Sequence, residues 1–219
     1  MKAVIFDLDG VITDTAEYHY LAWKSLSEEL SLPFDKGFNE KLKGVSRMKS
    51  LELILSLGDM TYSDEEKQAL TEKKNDLYKD MIAKVTPADL LPGIGSLLKE
   101  LQEAGMGTAL ASASKNAPFI LDRLEVTPYF NHIVDVNLIK QGKPDPEIFL
   151  TGAAKLGFLP EDCVGIEDAE AGIESILSAG MYAVGVGTPA QMQKADLIVS
   201  STAELSLSLL KENFKKKTN

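Results

Sequence analysis

Short, uninterrupted apolar runs recur along the chain and predict buried strands. These runs lie at 3–8, 108–111, 133–136, 163–166, 183–186 and 197–199. Because apolar and polar residues do not alternate within them, the runs are typical of a parallel sheet covered on both faces. Apolar positions at helical spacing, closed by Gly105 and Gly180, separate some of the runs. This succession of strand and helix predicts an open α/β sheet.

Residues 16–87 break this succession, because no run in them predicts a strand. Apolar stripes at helical spacing occupy 18–30 and 51–55. Ser63 and Glu66 form a capping-box pattern that starts a third, longer helix. The apolar residues that share one face of this third helix are Leu70, Leu77 and Met81. An all-helical block inserted after the first strand is therefore predicted.

The charge balance narrows the range of partners. The 219 residues carry 33 Asp and Glu against 23 Lys and Arg, a formal net charge of −10, and 44% are hydrophobic. Such an acidic globular chain disfavours binding to nucleic acid or to an anionic membrane surface. The single cysteine, Cys163, cannot form an internal disulfide, and its apolar neighbours predict a buried, unreactive thiol.

The start of the chain does not have the pattern of a secretion signal. Asp7 interrupts the apolar stretch that such a signal needs, and no apolar run reaches the roughly 20 residues that span a bilayer. We therefore expect a cytoplasmic protein without a membrane partner. Because nothing in the sequence demands a dimer, we expect a monomer.

Pairs of acidic residues follow two of the predicted strands. Asp7 and Asp9 come after the first strand, and Glu167 and Asp168 end the strand that begins at Cys163. The carboxyl ends of parallel strands meet at one edge of a sheet, where open α/β sheets bind ligands. One Asp-x-Asp pair alone is more often a solvated turn. Two such pairs predict a site for a hard cation, for which Mg²⁺ is the best match.

Groups suited to an anion lie in two further loops. Ser112, Ser114, Lys115 and Asn116 follow the predicted strand at 108–111 and precede a helix. Hydroxyls and free backbone N–H groups at a helix start favour binding of an anion. Lys143 lies in a loop with two prolines, and by itself it is typical of a surface lysine in a turn.

The order of these segments resembles the haloacid dehalogenase (HAD) superfamily of phosphotransferases. Its pattern is Asp-x-Asp after the first strand, a Ser or Thr after the next central strand, a Lys, and a pair of acids. The helical insertion is similar to the cap domain of that family. The resemblance implies an α/β fold with a Rossmann-like parallel sheet core at 1–14 and 89–219, and an inserted all-helical cap domain at 15–88.

Within the superfamily, the stretches 6–19, 42–47, 111–116 and 165–168 are most similar to members that isomerise sugar phosphates. This implies interconversion of β-D-glucose 1-phosphate and D-glucose 6-phosphate. The reaction would pass through an aspartyl phosphate, with β-glucose 1,6-bisphosphate as intermediate and primer. A sugar-phosphate phosphatase on the same scaffold remains the alternative. A sensor without catalysis is disfavoured, because a binder gains nothing from adjacent, repelling acids.

The resemblance also assigns roles around the reacting phosphate. Asp7 would be the nucleophile, and Asp9 the general acid and base. The implied ligands of one Mg²⁺ are Asp7, Asp9 through its backbone carbonyl, and Asp168, with Glu167 in support. Ser112 and Lys143 would hold the phosphoryl group that is transferred.

An isomerase of this kind needs a second anion site, because its bisphosphate intermediate must turn round. Arg47 on the cap is suited to bidentate binding of a phosphate. Ser114, Lys115 and Asn116 would complete that site from the core. The other substrate-binding residues that the resemblance implies are Thr15, His19, Trp23, Gly44, Val45, Ser46, Lys74 and Ala113.

Several of these residues also have an ordinary structural explanation. Arg47 is typical of a solvated surface arginine, and Lys74 of a charge on a helix surface. His19 could be a hydrogen-bonded histidine at a domain junction. Trp23 fits simple helix packing as well as it fits a place in a cleft.

Overall fold

A computed structural model describes residues 1–42 and 45–218, and a six-stranded parallel sheet lies at their centre. The strands are β1 (Ala3–Phe6), β2 (Gly107–Leu110), β3 (His132–Ile133), β4 (Cys163–Glu167), β5 (Tyr182–Val186) and β6 (Leu197–Val199). Their order is β3-β2-β1-β4-β5-β6, and every neighbouring pair is parallel. The predicted α/β fold with a parallel sheet is confirmed.

Helices surround the sheet and form the insertion between β1 and β2. In the described part of the chain they are α1 (Ala16–Glu29), α2 (Lys36–Asn39), α3 (Arg47–Leu55), α4 (Asp64–Ile82), α5 (Ile94–Glu103), α6 (Ala117–Arg123), α7 (Glu147–Leu156), α8 (Glu170–Ser178) and α9 (Leu207–Thr218). The expected capping box of Ser63 and Glu66 starts α4.

Both faces of the sheet are buried, as the uninterrupted apolar runs predicted. Val4 and Phe6 of β1 pack into a cluster that includes residues of α5, α6 and α9. Ala3 and Ile5, which point to the opposite face, pack into a second cluster with residues of α7 and α8. The central strand can therefore carry no polar residue before its end, and its first carboxylate is Asp7.

Two predicted strands are shorter than expected, and the first of them, β1, ends at Phe6 rather than at Leu8. The run at 133–136 was expected to be extended, but β3 ends at Ile133 and a short 3-10 turn follows at Val136–Leu138. The Asp135 side chain accepts a hydrogen bond from the Asn137 backbone N–H at 3.0 Å and caps this turn. A local side-chain cap thus competes successfully with strand pairing.

The insertion contains helices and no strand among its described residues, as predicted. The insertion has its own hydrophobic cluster, which includes Trp23, Leu26, Leu51 and Ile54. The residues of α4 that are fully buried are Thr71, Lys74, Tyr78 and Ile82, whereas Leu70, Leu77 and Met81 are half-buried. Leu70 and Leu77 pack against the hydrophobic clusters at the border of this buried face, and the face itself carries polar groups. The domain boundaries at 15 and 88 stay a prediction.

Two segments connect the insertion to the sheet, and they lie side by side. The Thr13 hydroxyl donates to the Asp89 carbonyl at 2.8 Å. The Leu91 backbone N–H donates to the Ile12 carbonyl at 2.9 Å. The insertion therefore leaves and rejoins the sheet next to the end of β1, and it faces the carboxylates that follow this strand.

Cys163 lies in the interior, as its apolar neighbours predicted. It is buried, and its thiol donates to the Leu159 carbonyl at 3.3 Å. Burial raises the pKa of the thiol to about 11, which makes the reactive thiolate rare. Separately, none of the helices within 1–42 and 45–218 is long and apolar enough to cross a membrane.

Candidate active site

The ends of β1 and β4 bring three carboxylates together. The two strands are neighbours with Phe6 opposite Ile166, so the residues that follow them emerge side by side. One oxygen atom each of Asp7, Glu167 and Asp168 lies within 4.8 Å of the others. The expected cluster of acids at the sheet edge is therefore present, and its oxygens could hold a metal ion.

Lys143 lies beneath this cluster rather than at the surface. Its Nζ donates to Asp7 Oδ1 at 2.6 Å and to Glu167 Oε1 at 2.5 Å, and its side chain is 1% exposed. Burial lowers the pKa of the ammonium, but the two carboxylates outweigh this effect and raise it above the ordinary value. Lys143 thus stays positively charged. One cation against three carboxylates leaves an excess of negative charge, which a divalent ion would balance.

Glu167 is fixed at both of its oxygens. Oε1 accepts from Lys143, and Oε2 accepts from the backbone N–H groups of Asp168 at 2.9 Å and Ala169 at 2.8 Å. Its carboxylate is fully buried. These contacts suit a residue that holds its neighbours in place, in line with the supporting part expected of it.

The environment of Asp7 disfavours an uncompensated charge. Burial, which is the largest influence, raises the pKa of this carboxyl, Lys143 lowers it, and the charges of Glu167 and Asp9 raise it. Together these influences bring the pKa to about 7. Its backbone N–H donates to the Ile166 carbonyl at 3.0 Å and continues the strand pairing. A cation bound at the cluster would favour the ionised carboxylate, which is the form that can attack phosphorus.

Gly10 allows the loop after β1 to pass close to Asp168. Its φ is +75°, in the left-handed region that glycine adopts without penalty. A Cβ at this position would overlap the Asp168 carboxylate. A side chain at residue 10 would therefore displace one of the three clustered acids.

Asp9 points into the cleft between the sheet and the insertion. The Thr15 hydroxyl donates to Asp9 Oδ1, and Asp9 Oδ2 lies 4.0 Å from His19 Nε2. Desolvation raises the pKa of Asp9, whereas the hydrogen bonds from Thr15 lower it. A carboxyl under such opposing influences suits a group that gives and takes a proton.

Lys74 presents a buried positive charge to the same cleft. Its Nζ donates to His19 Nδ1 at 2.8 Å and lies 4.7 Å from the ring centroids of both Trp23 and Tyr78. It makes no salt bridge with any residue that the structure describes. Burial, and then repulsion from Arg47, lowers its pKa to about 7, against the attraction of Asp9. The alternative explanation of a charge on the helix surface is excluded, because α4 turns Lys74 inward.

His19 is neutral in this setting. Burial, followed by the charges of Lys74 and Arg47, lowers its pKa well below the ordinary value. A neutral imidazole can accept from Lys74 at Nδ1 and keep its proton on Nε2, the nitrogen that faces Asp9. Its ring also lies 4.0 Å from that of Tyr78.

The cleft gathers most of the residues singled out from the sequence. It is lined by Asp7, Asp9, Ala16, His19, Trp23, Asn39, Leu42, Val45, Arg47, Ser50, Lys74, Ser112, Ala113, Ser114 and Asp168. Thr15, Lys143 and Glu167 lie behind this lining and hydrogen-bond to Asp9 or Asp7, or to one another. Gly44 lies outside the described residues.

Three further predicted residues do not line the cleft and make no contact with Asp7 or Asp9. Ser46 caps the start of α3 by accepting from the Lys49 N–H at 3.4 Å. Lys115 is exposed. The Asn116 side-chain amide donates to Asn75 Oδ1 of α4 at 2.9 Å. Of the expected Ser114, Lys115 and Asn116 set, only Ser114 faces the cleft.

Several residues of this region were not predicted from the sequence. Two of them follow a predicted residue by one helical turn: Ser50 comes after Arg47 on α3, and Tyr78 after Lys74 on α4. That spacing places each pair on one face and was the signal available for finding them. The sequence offers no comparable signal for Ala16, Asn39 and Leu42.

Comparisons with known proteins agree with this geometry. The family model of haloacid dehalogenase-like hydrolases matches residues 1–180. The chain is 56% identical over 216 residues to β-phosphoglucomutase of Bacillus subtilis, covering 98% of this chain and 96% of the relative. The crystal structure of β-phosphoglucomutase from Clostridium difficile superposes with a TM-score of 0.98 at 46% identity, covering 100% and 99% of the two chains.

Phosphatases are among the relatives as well. A phosphorylated carbohydrates phosphatase of Thermotoga maritima is 30% identical over 184 residues, covering 83% of this chain and 82% of the relative. The family match extends over most of the sheet core and all of the helical insertion, and the acidic cluster lies where the family pattern implies it. The chain belongs to the haloacid dehalogenase-like hydrolase family.

Proposed function

We propose that this protein is a β-phosphoglucomutase, which interconverts β-D-glucose 1-phosphate and D-glucose 6-phosphate. The observation that carries the proposal is a cleft with two separate places for a phosphate: the acidic cluster with Lys143 at the sheet end, and positive charge on the insertion. Lys143 lies under Asp7 at the sheet end, and Arg47 and Lys74 reach the cleft from the insertion. A bisphosphate intermediate needs such a second anion site, whereas a simple phosphatase does not. Similarity to the B. subtilis and C. difficile enzymes supports the same activity.

In the first half of the reaction, Asp7 attacks the phosphorus of the bound sugar phosphate and the bond to the sugar oxygen breaks. Lys143 keeps Asp7 in place through the contact at Oδ1, and Ser112 lies beside the phosphoryl group. Asp9 protonates the departing sugar oxygen, which makes it a better leaving group.

The cluster of acids suits Mg²⁺, because carboxylate oxygens are the ligands this ion prefers and the cluster has negative charge in excess. The residues that would hold the ion are Asp7, the backbone carbonyl of Asp9, and Asp168, with Glu167 keeping the group in register. When bound, Mg²⁺ would neutralise negative charge on the oxygens of the phosphoryl group that is transferred.

In the second half, Asp9 removes the proton from the sugar hydroxyl that attacks phosphorylated Asp7. Arg47 and Ser114 hold the phosphate that is not being transferred, so that β-glucose 1,6-bisphosphate can bind in either direction. The insertion covers the cleft and excludes water, which favours transfer to sugar over hydrolysis. A monomeric state, a cytoplasmic location and the lack of a nucleic-acid partner stay predictions.

The test is formation of glucose 6-phosphate from each anomer of glucose 1-phosphate, with Mg²⁺ and β-glucose 1,6-bisphosphate as primer. The proposal predicts product from the β-anomer and none above background from the α-anomer. Equal use of both anomers would contradict it. Release of free phosphate in place of glucose 6-phosphate would favour the sugar-phosphate phosphatase, the activity of the more distant relative.

A further inference from the structure

A chain of hydroxyl groups connects Asp9 with the interior of α4. The Thr15 hydroxyl donates to Asp9 Oδ1, and its oxygen lies 2.9 Å from the phenol oxygen of Tyr78. Ser114 on the opposite loop also lies close enough to the Tyr78 phenol to lower its pKa. We propose that Tyr78 is a positioning residue for the acid–base step: it fixes the Thr15 hydroxyl, which in turn orients Asp9. This inference rests on the proposed acid–base role of Asp9.

The directions of these hydrogen bonds follow from proton counting. A hydroxyl carries a single proton, and the Thr15 proton is used by the Asp9 carboxylate. Thr15 must therefore accept the proton of the Tyr78 phenol. Burial, with the charge of Asp9 in addition, raises the pKa of Tyr78, so the phenol keeps the proton that it donates. Hydrogen bonds arranged in one direction polarise and strengthen one another.

The Thr15 hydroxyl is available for this purpose because it does not cap its own helix. Thr15 occupies the N-cap position of α1, where a threonine hydroxyl ordinarily accepts from the backbone, yet it makes no such cap bond. It is fully buried and turned towards Asp9 instead. The cap interaction of α1 is thus replaced by a contact with the candidate acid–base group.

Tyr78 itself is held firmly. Its side chain is fully buried, its ring lies 4.0 Å from that of His19, and Lys74 Nζ lies 4.7 Å above it. Because the ring is already immobile, holding its phenol oxygen in place costs no further conformational freedom during the reaction. The phenol therefore joins the loops after β1 and β2 through a side chain of the insertion.

The substitution Tyr78→Phe tests the proposal, because it removes the phenol oxygen and keeps the ring. We expect kcat for β-glucose 1-phosphate to fall about tenfold, as part of the ~10²–10⁴-fold effect of general acid–base catalysis, with KM changed less than about twofold. Phosphorylation of Asp7 by acetyl phosphate, followed as acetate released in the first turnover, should stay within about twofold, because acetate leaves without being protonated. Tyr20→Phe, in the cluster around Trp23, is the matched control and should change neither rate.

A second comparison tests whether Tyr78 acts through Thr15. The double variant Thr15→Val with Tyr78→Phe should lose no more kcat than Thr15→Val alone, whereas independent effects would multiply. Multiplied losses would overturn the proposal. So would a normal kcat in Tyr78→Phe, or equal losses with the sugar phosphate and with acetyl phosphate, the result expected of damage to the fold.

The positioning role of Tyr78 can be tested separately from the proposed function. If the wild-type protein releases phosphate and forms no glucose 6-phosphate, the isomerase proposal fails. The contrast between sugar phosphate and acetyl phosphate in Tyr78→Phe can then still be measured from the phosphate and acetate released. Loss with the sugar phosphate alone would support the positioning role in either enzyme.

Discussion

Replacing Lys74 by Met should stabilise the protein without ligand and weaken its binding of sugar phosphates. Methionine has a similar length and flexibility but no charge. Lys74 is 1% exposed, and no described carboxylate lies within ion-pair distance of it. Below about pH 7, where Lys74 is protonated, its charge is therefore kept in the folded protein at the expense of stability, as is common for groups that await a ligand.

The size of the effect follows from the contacts of Lys74. Lowering its pKa from 10.5 to about 7 corresponds to about 5 kcal/mol for the charged form, at ~1.4 kcal/mol per unit. The Met variant loses the contacts with Trp23 and Tyr78, each worth about 0.5–2 kcal/mol. It also loses the hydrogen bond to His19, worth about 1 kcal/mol. A net gain of about 0–3 kcal/mol remains, or ~2–4 °C in melting temperature for each kcal/mol in a domain of this size.

The gain depends on pH in a defined direction. Lys74 loses its proton near pH 7 in the folded protein and near 10.5 in the unfolded chain. Between these values the unfolded chain binds a proton that the folded protein lacks, so the stability of the wild type rises with pH. Below pH 7 both states are charged and the penalty is at its full size. The advantage of Lys74→Met should thus be largest at pH 6 and smaller at pH 9.

Urea denaturation of the wild type and of Lys74→Met at pH 6 and pH 9 measures both expectations. Lys73→Met is the matched control, because Lys73 is half-exposed and forms an ion pair with Glu29 at 2.6 Å. Removing this ion pair should change the free energy of unfolding by less than about 1 kcal/mol. A Lys74→Met variant less stable than the wild type at pH 6, or an advantage unchanged at pH 9, would refute the reasoning. KM for β-glucose 1-phosphate should rise about tenfold or more, since a positive charge that lines the substrate cleft is lost.

Three further substitutions test other parts of the site. Asp9→Asn should reduce isomerisation by ~10²–10⁴-fold while inorganic phosphate still raises the melting temperature; near-normal turnover would exclude the acid–base role. Arg47→Ala should reduce isomerisation far more than hydrolysis of acetyl phosphate, and equal losses would argue against a contact with the second phosphate. Gly10→Ala should lower the free energy of unfolding by more than about 1 kcal/mol, because φ is +75° and the new Cβ overlaps Asp168; an unchanged urea midpoint would show that the loop adapts.

The sheet and the acids at its edge could be predicted from the sequence, because a strand that is buried on both faces is an uninterrupted apolar run. Ala3 and Ile5 face one layer of helices, Val4 and Phe6 face the other, and all four are fully buried. Such a strand can only be an apolar run, and the first carboxylate after it marks the edge of the sheet. The parallel arrangement then brings the acids after β1 and β4 together.

The face of α4 could not be predicted in the same way. Apolar spacing marked Leu70, Leu77 and Met81, which are half-buried, whereas Lys74 and Tyr78 are the fully buried groups beside the cleft. A cleft accommodates polar side chains because they bond to one another, as Lys74 does to His19 and Tyr78 to Thr15. The spacing of hydrophobic residues gives no information about such hydrogen-bond partners, because they come together only in the folded chain.

Partition of the phosphoryl group tests the central claim most directly. Wild-type protein is given β-glucose 1-phosphate, Mg²⁺ and the bisphosphate primer, and glucose 6-phosphate and free phosphate are measured in the same samples. A cleft with a second phosphate site and little access for water predicts glucose 6-phosphate in large excess over free phosphate. Free phosphate equal to or above glucose 6-phosphate would contradict the isomerase and identify a phosphatase.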